Sequence, residues 1–240
     1  ILTRYLDLTG EAAARGARLI IWPESSTPFY FESDIREGER IRALVRRAGV
    51  RLLLGSDQVE PGAPPKYYNA AFMVQPDGGT AAVYRKMHLV PFGEYVPLQS
   101  LLFFVGSIVE SVSDFTPGEA IVPLPLDGAT ISTAICYEIV YPGLVRQAVR
   151  QGSQLLTPIT NDAWYGNSSA PHQPFLQASM RAIEQGRYLA RAANTGISGI
   201  VDPYGRTVAR SGIFEQVGLV GEARFLTDRT ATAAFSKWLA

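Results

Sequence analysis

Short apolar runs alternate with amphipathic stretches along the whole chain. ARLIIW (Ala17–Trp22) follows a helix-like segment and predicts a strand buried on both faces. Residues 35–49 put Ile41, Leu44 and Val45 on one side and Arg and Glu on the other, which predicts a helix. Arg51–Gln58 predicts the next strand. Tyr68–Gln75 and Thr80–Arg85 predict a hairpin around Pro76-Asp77-Gly78-Gly79, where proline presets one φ and glycine supplies a positive one. A second hairpin joins Ala120–Leu126 to Ala129–Cys136 across Asp127-Gly128. Beyond it the pattern predicts a helix over 141–151, a strand over Gln154–Thr160 and a long helix over 174–193. A last pair of strands flanks Asp202-Pro203-Tyr204-Gly205.

Strands mixed with helices predict an α/β domain whose sheets are covered by helices. The hairpins argue against a purely parallel sheet, because they make antiparallel pairs. No repeat, low-complexity tract or linker divides the chain, so residues 1–240 are expected to form a single domain.

Composition narrows the picture. The chain is 47% hydrophobic and 18% charged, a globular balance and not a disordered one. Twenty-two basic residues offset twenty-two acidic ones, and there is no basic run, so no nucleic-acid partner is expected. The longest apolar stretch of interest, LLFFVGSIV (Leu101–Val109), falls well short of the roughly 18–20 residues that span a bilayer. The start at Ile1, without Met or a signal-peptide pattern, suggests a piece of a longer protein.

The one cysteine cannot form an intrachain disulfide. Cys136 lies in STAICYEIVYP, where a strand becomes a turn that Pro142 closes before a helix. A lone cysteine in a buried strand is usually inert packing. A strand-to-helix elbow, by contrast, exposes a nucleophile and leaves backbone N–H groups free for an oxyanion. A thiol needs a base or a positive neighbour to act. His88 and His172 make a Cys–His dyad arithmetically available. Glu24, after a buried strand and a proline in LIIWPESS, and Lys86, at a strand end in AVYRKMHLVPFGEYVP, are the other candidates. Taken singly, each also reads as an ordinary surface carboxylate or solvated lysine.

Taken together, WPE, YRKMHLVPFGE and CYE, in that order, resemble the nitrilase (carbon–nitrogen hydrolase) superfamily. NDAWYG (Asn161–Gly166) and RAIEQGRYLARAANTGIS (Arg181–Ser198) extend the resemblance over nearly the whole chain. The resemblance implies a nitrilase-like α-β-β-α sandwich of two mixed sheets flanked by helices. It implies Glu24 as general base, Lys86 as oxyanion-stabilising cation and Cys136 as nucleophile. PFGEYVP (Pro91–Pro97), CYEIVYP and SDFTPG (Ser113–Gly118) are most similar to the apolipoprotein N-acyltransferase branch. In that branch such a domain sits on the periplasmic face of a bundle in the bacterial inner membrane.

On this resemblance Glu94 and Glu138 join the catalytic residues, Tyr137 and Glu138 shape the nucleophile loop, and Trp164 lies near an acyl pocket. Leu101–Val109 reads either as a core helix or as an arm dipping into the membrane surface. The implied reaction moves an acyl chain from a phospholipid donor, through a Cys136 thioester, to the amine of a lipoprotein acceptor. The alternatives are a soluble amidase using the same three residues and a binding domain without activity. No cofactor is expected, and two histidines with one cysteine give no zinc spacing.

Overall fold

The structure, a computed structural model, describes residues 1–91, 93–95, 115–165 and 172–235, with backbone alone at 164, 165 and 235. Leu101–Val109 and the side chain of Trp164 lie outside the described residues.

The chain opens with α1 (Leu2–Ala14) and β1 (Leu19–Ile21), then α2 (Ile35–Ala48). Helix α2 starts where Asp34 accepts a hydrogen bond from the Glu37 N–H at 3.0 Å, and stops at Gly49, whose φ is 64°. An N-cap carboxylate and a left-handed glycine are the ordinary start and stop devices of a helix. Strands β2 (Arg51–Glu60), β3 (Lys66–Val74) and β4 (Thr80–Arg85) follow. They complete a sheet ordered β1-β2-β3-β4, with β1 parallel to β2 and the other pairs antiparallel.

The second half supplies the other sheet. A short hairpin, β5 (Leu124–Leu126) and β6 (Ala129–Ile131), leads through 132–135 to a 3-10 turn at Cys136–Val140. Helix α3 (Pro142–Arg150), β7 (Leu155–Leu156), β8 (Ile159–Asn161) and a 3-10 turn at Asp162–Tyr165 come next. Helix α4 (His172–Gln185), β9 (Tyr188–Asn194), β10 (Gly199–Val201), β11 (Thr207–Arg210) and α5 (Ala231–Phe235) finish the fold. The sheet runs β11-β10-β9-β7, with β8 also paired to β9. Bridges Ser132–Leu156 and Ile135–Ile159 attach the segment before Cys136 to its far side.

Burial shows four layers. Along β2 and β3, Leu52, Leu54, Ala70, Phe72 and Val74 pack outward against Leu2 and Ala12 of α1 and Ile41 and Val45 of α2. The alternate residues Leu53, Ala71 and Met73, with Tyr84, face Leu124, Ile131, Ile135, Leu155 and Ile159 across the space between the sheets. On the far side Leu156, Leu189 and Val201 pack against Val145 and Val149 of α3 and Phe175, Ala178 and Ala182 of α4. Period-two alternation thus serves two cores, which is why these strands are apolar on both faces. This is the expected α-β-β-α sandwich of mixed sheets.

Three elements differ from the sequence-based expectation. The hairpin strands expected at Ala120–Leu126 and Ala129–Cys136 are confined to Leu124–Leu126 and Ala129–Ile131. The run 174–193 is not one helix. Helix α4 ends at Gln185, Gly186 takes φ 61°, and Tyr188–Asn194 becomes the central strand β9. Ala and Arg in this run suit a helix locally, but β9 gains strand partners on both edges and buries Leu189 and Ala192 in two different cores. The strand expected at Gln154–Thr160 is split at Thr157-Pro158, since proline donates no ladder hydrogen bond.

Candidate active site

The inter-sheet core ends in polar residues. Continuing the inward row of the first sheet past Met73 and Ala71 on β3 leads to Asn69, which is 4% exposed. Continuing past Tyr84 on β4 leads to Lys86, whose N–H donates to the Asn69 carbonyl at 2.8 Å. Its side chain is 1% exposed. Glu24 enters from the bend after β1. Its backbone crosses β2 so closely that a Cβ on Gly55 would lie 2.5 Å from the Pro23 carbonyl oxygen and 2.6 Å from Glu24 Cα. Glycine at position 55 is therefore a requirement of that crossing.

The buried groups are joined by hydrogen bonds. Asn69 Nδ2 donates to Glu24 Oε1 at 2.7 Å and to Glu94 Oε1 at 2.9 Å. Lys86 Nζ lies 2.8 Å from Glu94 Oε1 and 3.4 Å from Glu24 Oε1. The Asn161 N–H, from the second sheet, donates to Glu24 Oε2 at 2.8 Å. Glu94 Oε2 accepts from the Val90 N–H at 2.8 Å, which closes its own turn. Burial opposes the Lys86 charge, but Glu24, Cys136 and Glu94 together outweigh it and hold the ammonium above its ordinary range.

Cys136 faces this cluster from the second sheet. Its φ is 57°, left-handed for a residue with a side chain. Such a conformation costs on the order of 1 kcal/mol and persists only where surroundings enforce it. The first internal bond of the following 3-10 turn is Glu138 N–H to the Ile135 carbonyl, at 3.2 Å. The N–H groups of Cys136 and Tyr137 thus precede any partner within the turn. Burial pushes the Cys136 thiol up to about 12; Glu24 and Glu94 add to the rise, while Lys86 and Thr160 oppose it. The resting sulfur is a neutral thiol.

Glu138 does not join this cluster. It is 0% exposed, and its carboxylate accepts from Tyr84 Oη at 2.9 Å, the Met87 N–H at 2.7 Å, the His88 N–H at 3.1 Å and the Ile135 N–H at 2.8 Å. It ties the turn that carries Cys136 to the loop that follows Lys86. Burial raises its carboxyl, and the three backbone donors and Tyr84 work against that rise. Tyr137 is 50% exposed and meets Tyr141 edge-on, with ring centroids 5.8 Å apart. The His88 ring stacks on Tyr141 at 4.5 Å, and His172 is exposed at the start of α4. Neither histidine is among the groups acting on the thiol, so the structure does not assemble a Cys–His dyad.

Sequence reasoning missed Asn69 and the support beneath Thr160. Thr160 Oγ1 donates to Asp162 Oδ1 at 2.9 Å, and Arg191 Nη2 donates to Asp162 Oδ2 at 2.9 Å. Both charged partners are nearly fully buried. NDAWYG carried the signal for Asp162, but nothing near Arg191 in sequence announced its partner. Among the described residues no group of three or more His, Cys, Asp or Glu side chains could hold a metal ion.

Known proteins share this arrangement of chain. A fold comparison pairs it with an amidase from Nesterenkonia sp., at a TM-score of 0.67 and 24% identity, covering 88% of this chain and 80% of that one. The apolipoprotein N-acyltransferase of Geobacter metallireducens is 43% identical over 222 residues, 92% of this chain and 43% of the relative. That of Rhizobium rhizogenes is 37% identical over 231 residues, 92% of this chain and 42% of the relative. The chain thus spans less than half the length of these relatives. The carbon–nitrogen hydrolase family profile matches residues 1–222. With a match of that extent over a four-layer sandwich, the chain belongs to the carbon–nitrogen hydrolase family, within the nitrilase superfamily.

Proposed function

We propose that residues 1–240 are the single catalytic domain of an apolipoprotein N-acyltransferase. The observation that carries the chemistry is the buried Glu24–Lys86 pair facing the Cys136 thiol at one end of the inter-sheet core. The similarity to relatives of that name across 92% of the chain supports the branch.

In this reading Glu24 takes the Cys136 proton as sulfur attacks the ester carbonyl of a phospholipid. Lys86 and the Tyr137 N–H stabilise the oxyanion, an interaction whose loss typically costs about 3 kcal/mol. The C–O bond to glycerol breaks, Glu24 returns its proton to the departing lysophospholipid oxygen, and a thioester remains on Cys136. The α-amine of a diacylglyceryl-cysteine lipoprotein then attacks. Its N–H proton passes to Glu24, the C–S bond breaks, and the amide forms while the thiol is restored. Two easier steps replace one hard one.

Glu94 holds Lys86 in place, and Glu138 positions the nucleophile turn through the backbone. Trp164 is assigned to the acyl pocket and Tyr137 to its rim. The donor and acceptor imply the bacterial inner membrane, with the domain on the periplasmic face. No helix among the described residues is long and apolar enough to cross a membrane, so the bilayer contact is assigned to parts of the relatives' length that this chain does not span and to Leu101–Val109.

Intact mass spectrometry after incubation of the detergent-solubilised protein with phospholipid tests the reading. The expected result is a hydroxylamine-sensitive gain of one acyl chain that Cys136→Ala abolishes. No gain, together with ammonia release from small amides, would replace the acyltransferase with an amidase.

A further inference from the structure

Asp57, Asn69 and Lys86 form one row across β2, β3 and the end of β4. Asp57 is in direct register with Asn69, so their side chains leave the same face of the sheet with Cβ atoms about 5 Å apart. Asn69 Nδ2 is committed to Glu24 and Glu94, which leaves Oδ1 on the opposite side of the amide. Asn69 Oδ1 and Asp57 Oδ1 are both buried, and neither has a hydrogen-bond partner among the described residues. Two buried acceptor oxygens without partners, on residues in direct register, repel each other. One proton between them satisfies both.

We propose that Asp57 is a positioning residue of this site: in its acid form its carboxyl donates to Asn69 Oδ1, holding the amide in the orientation that serves Glu24 and Glu94. The chain of hydrogen bonds then runs Asp57–Asn69–Glu24 and Asp57–Asn69–Glu94, with Lys86 against both glutamates. Among the described residues, the charged or titratable groups that act on one another at this end of the core are Asp57, Glu24, Glu94, Lys86 and Cys136. Burial first, then Glu24 and Glu94, push the Asp57 carboxyl up to about 6. A hydrogen bond donated by the acid form adds to that rise, because it stabilises only the protonated state. An ionised Asp57 would put a third carboxylate beside a single lysine and leave Asn69 free to flip. A neutral acid avoids both.

The catalytic consequence rests on the reading of Glu24 as the base for Cys136; the protonation itself does not. Two measurements therefore separate them. Infrared difference spectra of the wild-type protein against Asp57→Asn should show a protonated-carboxyl band at about pH 5, where an ordinary aspartate is already ionised, that shifts in heavy water and disappears on alkalinisation. Absence of that band at about pH 5 overturns the proposal, whatever the enzyme does. The second readout is alkylation of Cys136 by iodoacetamide across pH. Asp57→Asn keeps a donor toward Asn69 Oδ1 and should react within about twofold of wild type, whereas Asp57→Ala should react about tenfold more slowly, the scale of one buried hydrogen bond. Equal slowing in both variants would overturn the positioning role, and an unchanged rate in Asp57→Ala would do so too. If the band and the alkylation pattern hold while no acyl chain is transferred, the proposed function fails and Asp57 keeps its assignment.

Discussion

Glu138 accepts the Met87 N–H at 2.7 Å, and that single bond couples the turn bearing Cys136 to the residue directly after Lys86. The same carboxylate takes the Ile135 N–H on the other side of the cysteine. Nucleophile and lysine are thus spaced by one buried side chain. Glu138→Ala leaves three backbone donors and a tyrosine hydroxyl unpaired in the core. It should lose about 3–5 kcal/mol of stability in urea denaturation. Glu138→Gln keeps the volume but turns an N–H₂ toward N–H donors, and should lose less stability yet still slow thioester formation. A glutamine variant with wild-type acylation would show that the spacing does not depend on this carboxylate.

Gly55 is the contact over which Glu24 is held. In Gly55→Ala the new methyl would meet the Pro23 carbonyl and Glu24 Cα, both backbone, so the bend must move away from β2. A displacement of about 1 Å at a catalytic base can cost on the order of 100-fold in rate. The variant should fold, with kcat/KM for acylation reduced on that scale. Steady-state kinetics beside a circular dichroism spectrum decide it.

The thiol of Cys136 should titrate late. Burial and Glu24 hold it up to about 12, so the charged form is disfavoured and appears only as pH climbs toward that value. Iodoacetamide alkylation should therefore keep rising past about pH 9, where an ordinary thiol levels off. Lys86 lowers the thiol, so Lys86→Met should push the profile further alkaline and slow the reaction at every pH below it. A plateau below pH 9 in the wild-type protein would contradict the buried, neutral resting state.

The Asp162–Arg191 pair supports Thr160 from below and is nearly fully buried. Asp162→Ala strands the guanidinium of Arg191 in the core and should destabilise by about 3–5 kcal/mol. The double variant Asp162→Ala with Arg191→Met should recover much of that loss, since it removes the unpaired charge. A double-mutant cycle in urea measures the coupling.

Much of this protein is legible in its sequence. The turn at Pro76–Gly79 and the capped helix at Ile35–Ala48 follow from residues within a few positions of one another, and both stand where the pattern put them. The break at Gly186 was harder to see. YLARAAN has no strong strand composition, and only the two neighbouring strands that flank it decide its state.

The sequence by itself determined the alternation of strands and helices, the buried apolar strand at Ala17–Trp22, and the order of Glu24, Lys86 and Cys136 at strand ends. Those depend on local spacing, which is visible along one chain. Only the tertiary structure decided that Asn69 bridges two glutamates, that Asp57 stands in register beside it and that Glu138 ties the Cys136 turn to the loop after Lys86. Strand register and the packing of one sheet on another are set by contacts between residues tens to more than a hundred positions apart. Their side chains acquire partners, burial and shifted acidity only when those distant segments meet.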